Sequence, residues 1–216
     1  MIEFFQITGS ASFAARMALE EAGAAYEEVN IHPRRRDEPA SFGEVNPLKR
    51  VPALREGDVT VYETGAVLLH LVDRFPERDL GPAVGDPKRA ELYRWILWLA
   101  DTLHPAWWPI MRSPSSEPEE AALAALRSQG RAQMDVHGAY LERELAKGPW
   151  CLGEQFSVAD LYLYMLTGWQ WPARLTPAPP GGGRALSSPH GDPACDCTPA
   201  RAARACRARA GGSAGA

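Results

Sequence analysis

Residues 46–71 read NPLKRVPALREGDVTVYETGAVLLHL, and three local patterns follow one another within them. Val51 to Leu54 and Val59 to Tyr62 are short apolar and β-branched runs on either side of Gly57-Asp58, the pattern of two strands joined by a turn. From about Gly65 to Phe75, the side chains Val67, Leu68, Leu71, Val72 and Phe75 recur at spacings of three and four, the period of a helix with one apolar face. The stretch is a ββα unit.

Working outward, residues 2 to 7 (Ile-Glu-Phe-Phe-Gln-Ile) have the aromatic and β-branched content of a buried strand running into a Gly9-Ser10 turn. A helix carrying Phe13, Met17 and Ala18 should follow and stop at Gly23, where a left-handed cap suits glycine. Tyr26 to Ile31 reads as a second strand, and His32 to Pro39 as a basic, proline-punctuated loop. The order is therefore βαβ followed by ββα. Beyond Pro76 to Pro87, a proline- and glycine-bearing connection, strand signals disappear. Asp86 can cap a helix with Pro87 at its first position, and Leu92, Ile96, Leu99 and Leu103 fall on one stripe. A second helix is expected from about Pro118 to Lys147, with Leu123, Leu126, Gly130, Met134, His137, Leu141 and Leu145 in register before Gly148-Pro149. Ser157 and Asp160 can form a variant capping box at the start of a third, which should run to about Gln170. An α/β unit over residues 1–78 followed by an all-α unit over 86–171 is the expected organisation.

Residues 172–216 differ in kind. They hold seven Pro, seven Gly, twelve Ala and six Arg, with only Leu175 and Leu186 as large apolar residues, too little to offset the entropy of ordering. The expectation is a low-complexity, disordered tail, of the composition that an out-of-frame reading of a GC-rich gene produces. Residues 1–171 carry net charge −8 and residues 172–216 net +4. An acidic body does not favour nucleic acid as partner.

With 216 residues, 45% hydrophobic and 23% charged, the chain has the composition of a soluble globular protein. Glu3 inside the first apolar run and the lack of a basic leader argue against a signal peptide. The uncharged stretch from Leu161 to Ala173 is too short to cross a bilayer, so neither a membrane nor a secreted location is expected, and the cytoplasm is. Cys151 stands alone, and Cys195, Cys197 and Cys206 lie late in the chain, so no disulfide framework emerges. Zinc binding by these three with His190 lacks a paired C-x-x-C framework, and no metal is expected.

Residues 46–71 resemble the glutathione-binding segment of glutathione transferases. That resemblance implies a thioredoxin-like N-terminal domain, an all-helical C-terminal domain, glutathione as co-substrate and a homodimer. It further implies a cis Val51-Pro52 bond, with the Val51 backbone pairing the cysteinyl unit of glutathione as an added strand. Thr64 would hold the γ-glutamyl carboxylate at a helix N-terminus, with Glu63 on the ammonium side. Lys49 and Arg50 would meet the glycyl carboxylate. A helix cap at Glu63-Thr64 and solvated basic side chains are the plainer alternatives. PWCLGEQFSVADLYLYML, residues 149–166, resembles the capping segment of the family's second domain, where Ser157 and Asp160 are structural. YRWILWLADTLHPAWWPIMR, residues 93–112, is similar to the helix walling the electrophile pocket, especially in bacterial beta-type members. His104 matches a histidine near the glutathione sulfur, and Trp107 and Trp108 would line the pocket. Core packing is the alternative for all three.

The catalytic turn departs from the family. The active cysteine of beta-type members aligns with Ala11, and the commonest serine position aligns with Gly9. Thr8, Ser10 and Ser12 remain as hydroxyls able to stabilise a thiolate. Ser10 is the candidate, and simple capping of the first helix is the alternative. The expected function is a transferase that activates glutathione for attack on apolar electrophiles. The rival is a non-catalytic glutathione-binding or interaction protein of the same fold.

Overall fold

The computed structural model describes residues 1–32, 38–111 and 120–168. The expected tail, the late cysteines with His190, Pro118 and Gln170 lie outside the described residues. Strands β1 (Ile2–Gln6), β2 (Tyr26–Asn30), β3 (Ala53–Glu56) and β4 (Val59–Tyr62) form one sheet in the order β2-β1-β3-β4. β1 pairs parallel with β2 and antiparallel with β3, which pairs antiparallel with β4. The parallel pair requires a crossover, supplied by α1 (Ser12–Ala22), which closes at Gly23 with φ 61°.

Alternation along β1 divides the core. Ile2 and Phe4 face α1 and α3 (Thr64–Arg74), whereas Phe5 faces the opposite side with Ala53, Phe42 and Val45. Phe42 and Val45 belong to α2 (Ala40–Val45), a six-residue helix absent from the sequence reading. Its tertiary contact, Phe42 stacked on Phe5 at 5.4 Å, accounts for a helix too short to form alone. The strand expected from Val51 begins instead at Ala53, directly after the cis Val51-Pro52 bond, since Pro52 has no N–H to give to a ladder.

The helical part contains α4 (Arg89–Trp98), a π-helical turn (Leu99–Leu103), α5 (His104–Ala106), α6 (Trp108–Met111), α7 (Glu120–Leu145) and α8 (Val158–Thr167). The first of these was expected at Asp86. The Asp86 carboxylate does accept an amide, from Lys88 at 2.8 Å, but regular helix starts at Arg89. The uninterrupted stripe to Leu103 is corrected too. Pro105 cannot donate to the carbonyl of Asp101, four residues back, and the helix widens into its π turn over the segment leading to that proline. At α8, Ser157 Oγ accepts from Ala159 N at 3.3 Å and Asp160 Oδ2 from Ser157 N at 2.8 Å, giving the reciprocal capping box.

The two parts share one continuous apolar core. Ala14, Ala15, Ala18 and Ala22 of α1 are buried, and their small side chains let α1 pack against both α3 and α8. No helix among the described residues is long and apolar enough to cross a membrane.

Candidate active site

A cleft of about 1290 Å³ opens between the sheet domain and α4–α6. Ser10, Lys49, Arg50, Val51, Pro52, Glu63 and Thr64 line it on one side and His104, Trp107 and Trp108 on the other, whereas the candidate hydroxyls of Thr8 and Ser12 are not in its lining. A smaller groove of about 420 Å³, between Asp101, Thr102, Gln133 and His137, contains none of them.

The loop before Pro52 is shaped by Asn46, which is fully buried. Its Nδ2 donates to the Arg50 carbonyl at 2.8 Å, its Oδ1 accepts from Leu48 N at 3.0 Å, and its carbonyl accepts from Lys49 N at 2.8 Å. Three bonds from one residue hold the turn that brings Val51 to the cleft. Lys49 pairs with Glu38, and Arg50 is exposed. Glu63 adopts φ 72° and ψ 127°, an unfavourable region for a residue with a side chain. Beyond it α3 begins, and Thr64, Gly65 and Ala66 of its first turn, whose amides have no partner within the helix, line the cleft. Thr64 at that start is 7% exposed.

Across the cleft, His104 stands at the point where the π turn gives way to α5. Its Nδ1 lies 2.9 Å from the Tyr162 hydroxyl, its ring is parallel to Trp108 within 2°, and Tyr162 meets it edge-on. Burial lowers the His104 pKa below its ordinary value, which keeps the imidazole neutral at neutral pH. Burial pushes the Tyr162 phenol well up, and the neighbouring Thr64 hydroxyl works in the opposite direction. Tyr162 thus spans the cleft floor from α8, between His104 and the α3 N-terminus. Sequence reasoning missed this residue because the periodicity of α8 marks it only as core. Asn46 was missed for a related reason: a polar residue beside a proline looks like an ordinary turn former.

The turn after β1 is held by serines. Ser12, fully buried, has its Oγ 3.0 Å from the Ile7 carbonyl, 3.2 Å from Ile7 N and 2.7 Å from Ser10 Oγ. Ser10 Oγ accepts from Ser12 N at 3.2 Å and itself lines the cleft, beside Ala11. Thr8 is exposed and is not part of the lining.

A four-stranded sheet with a parallel β1-β2 pair, helices on both faces and an appended helical domain is the thioredoxin-like, two-domain architecture of glutathione transferases. Residues 2–73 match the sequence model of the glutathione S-transferase N-terminal domain, and residues 120–187 that of its C-terminal domain. Among curated relatives, glutathione S-transferase GstA of Escherichia coli O157:H7 is 27% identical over 177 residues, covering 81% of this chain and 85% of its own. Glutathione S-transferase GstB of Escherichia coli K12 is 32% identical over 150 residues, covering 62% and 68%. A sphingomonad glutathione S-transferase solved in complex with glutathione superposes with a TM-score of 0.65 at 34% identity, covering 80% of this chain and 83% of its own. A Sulfitobacter glutathione transferase homologue with bound glutathione gives 0.67 at 30%, covering 78% and 82%. The chain belongs to the glutathione S-transferase family.

Proposed function

We propose that this protein binds glutathione in the cleft, ionises its thiol at the Ser10 turn and directs it at an apolar electrophile held against α4–α6. The carrying observation is that a cis-proline loop, a helix N-terminus, a hydroxyl-bearing turn and an apolar wall converge on one cavity. In this reading Val51 pairs the peptide backbone, while Thr64 and the α3 amides receive the γ-glutamyl carboxylate. Lys49 and Arg50 meet the glycyl carboxylate, Lys49 exchanging Glu38 for the ligand. Leu48, Leu97, Trp108 and Met111 are all large apolar side chains left 44% or more exposed, and all four line the cleft. Such clustering supports an apolar second substrate.

The energetics are within reach. A free thiol of pKa about 8.5 is only a few per cent ionised at neutral pH, and lowering it by about two units needs about 2.7 kcal/mol. One hydroxyl bond to the thiolate supplies about 1.5–3 kcal/mol and the α1 N-terminus about 0.3–1 kcal/mol. Ser10 stabilises the anion and forms no covalent intermediate. The protein acts in the cytoplasm as a homodimer.

Ala11 in the catalytic turn favours a second reading, a glutathione-binding protein without turnover. Calorimetric titration with glutathione, followed by conjugation assays over a panel of apolar electrophiles, separates the two. Binding with turnover supports the transferase; binding with none across the panel supports the second reading; no binding removes both.

A further inference from the structure

Ser10 and Ser12 possess one hydroxyl proton each, and the geometry offers those two protons two arrangements. In the first, Ser12 donates to the Ile7 carbonyl at 3.0 Å, so Ser10 must donate to Ser12 across their 2.7 Å contact and its proton points away from the cleft. In the second, Ser12 donates to Ser10 and the Ser10 proton is released toward the cleft. The Ile7 carbonyl is not left bare by this reversal, because it keeps the Ser10 N–H at 3.1 Å. Ser12 Oγ likewise keeps the Ile7 N–H at 3.2 Å.

We propose that Ser12 is a positioning residue whose hydroxyl reverses direction when bound glutathione ionises, turning Ser10 from an inward donor into a donor to the thiolate. This rests on the reading of Ser10 as the group that stabilises the thiolate. A neutral thiol is compatible with the first arrangement, since Ser10 Oγ can accept from S–H. A thiolate has no proton to give and selects the second: around the same thiolate, the charge-assisted bond from Ser10 replaces the neutral bond from Ser12 to the Ile7 carbonyl, and the number of bonds is equal in the two arrangements. Ser10 Oγ then accepts from both the hydroxyl and the amide of Ser12, which polarises its own O–H and strengthens it as a donor. The thiol proton leaves to solvent water, and each serine keeps one proton throughout. Because Ser12 is fully buried, its hydroxyl meets protein partners only.

The test measures the pKa of bound glutathione from thiolate absorbance, with affinity by calorimetry, in Ser12→Ala, Ser12→Cys, Ser10→Ala and the two double variants. Cysteine preserves packing but is a weak donor, which guards against collapse of the turn in the alanine variant. Lys49, Arg50, Glu63, Asp101, His104 and Tyr162, the charged and titratable groups lining the cleft, are unchanged throughout, so their contributions cancel. Both single Ser12 variants are expected to raise the thiol pKa by about half a pH unit with affinity within about twofold, and to add nothing once Ser10 is alanine. No shift in either Ser12 variant while Ser10→Ala shifts overturns the relay and leaves Ser10 in its role. So does a Ser12 effect that persists undiminished without Ser10. No shift in Ser10→Ala overturns the underlying reading itself.

Discussion

At Thr64 a single hydroxyl and a helix start address the same point in the cleft. The side chain is almost wholly buried beside Tyr162, so it has little freedom to reorient. Thr64→Ala should weaken glutathione binding by about 1–3 kcal/mol, the cost of one charge-assisted bond in a partly desolvated site. Calorimetry measures this, and an unchanged affinity would show that the carboxylate is held elsewhere. Thr64 could be singled out in the sequence through the family resemblance of residues 46–71, at the start of an amphipathic helix. Tyr162, its neighbour in space, lies 98 positions along the chain, and no local pattern connects them.

Among the helices, α7 depends on a side chain that Gly130 lacks. A Cβ on Gly130 would lie 2.9 Å from Ile110 Cγ1 and 3.1 Å from Pro109 Cβ, so glycine lets α6 rest directly on α7. In an exposed helix Gly→Ala gains about 1 kcal/mol. Here Gly130→Ala should instead cost about 1–3 kcal/mol through overpacking and displace α6, which carries Trp108 and Met111. Denaturant unfolding decides by sign: a stabilised variant would disprove the close approach.

The α8 capping box gives a pH prediction. Burial raises the Asp160 carboxyl to about 6, against bonds from Cys151 N, Ser157 N and both side chains that pull it down. An acid whose folded pKa lies above its unfolded value favours the protonated native state. Its contribution is therefore full below about pH 4 and is lost as pH rises through about 6. Stability of the native protein minus that of Asp160→Asn should fall between about pH 4 and 6, by about 3 kcal/mol at most. The lowered carboxyls of Glu3, Glu56 and Glu144 act with the opposite sign, below their ordinary value of 4.5, and they cancel in the difference. A flat difference across that range would show Asp160 to be ionised throughout.

Across the whole molecule, the two domains are tied at several points. Arg89, side chain 6% exposed, donates to the Pro82 carbonyl at 2.8 Å and to Asp73 at 2.6 Å, joining α3, the connection and α4. Val158 N, at the start of α8, donates to the Leu80 carbonyl of the same connection at 2.8 Å. The larger core runs from Ile2 to Leu166 across both domains, and the sheet domain keeps for itself just the small cluster around Phe5 and Phe42. Unfolding should therefore be a single transition. The sheet domain contains no tryptophan, and Trp95, Trp98, Trp107, Trp108 and Trp150 belong to the helical domain, so tryptophan fluorescence does not report on the sheet domain, whereas far-ultraviolet circular dichroism follows both. Coincident curves are expected, and separated midpoints would mean that the sheet domain melts independently.

Local periodicity was enough to place the four strands, α1, α3 and the main helices of the second domain, because each buries one face and the spacing of apolar side chains records which face that is. The cap at Gly23 and the box at Ser157 were legible for the same reason, being interactions among residues only a few positions apart. What the chain alone could not determine depends on partners distant in sequence. The short α2 exists because Phe42 finds Phe5, and the position of α6 is set by a glycine in another helix. Which of Thr8, Ser10 and Ser12 reaches the cleft falls into the same class. The three are chemically alike and nearly adjacent, and only the folded turn buries Ser12 on the Ile7 backbone, leaves Thr8 exposed outside the cleft and brings Ser10 to its edge.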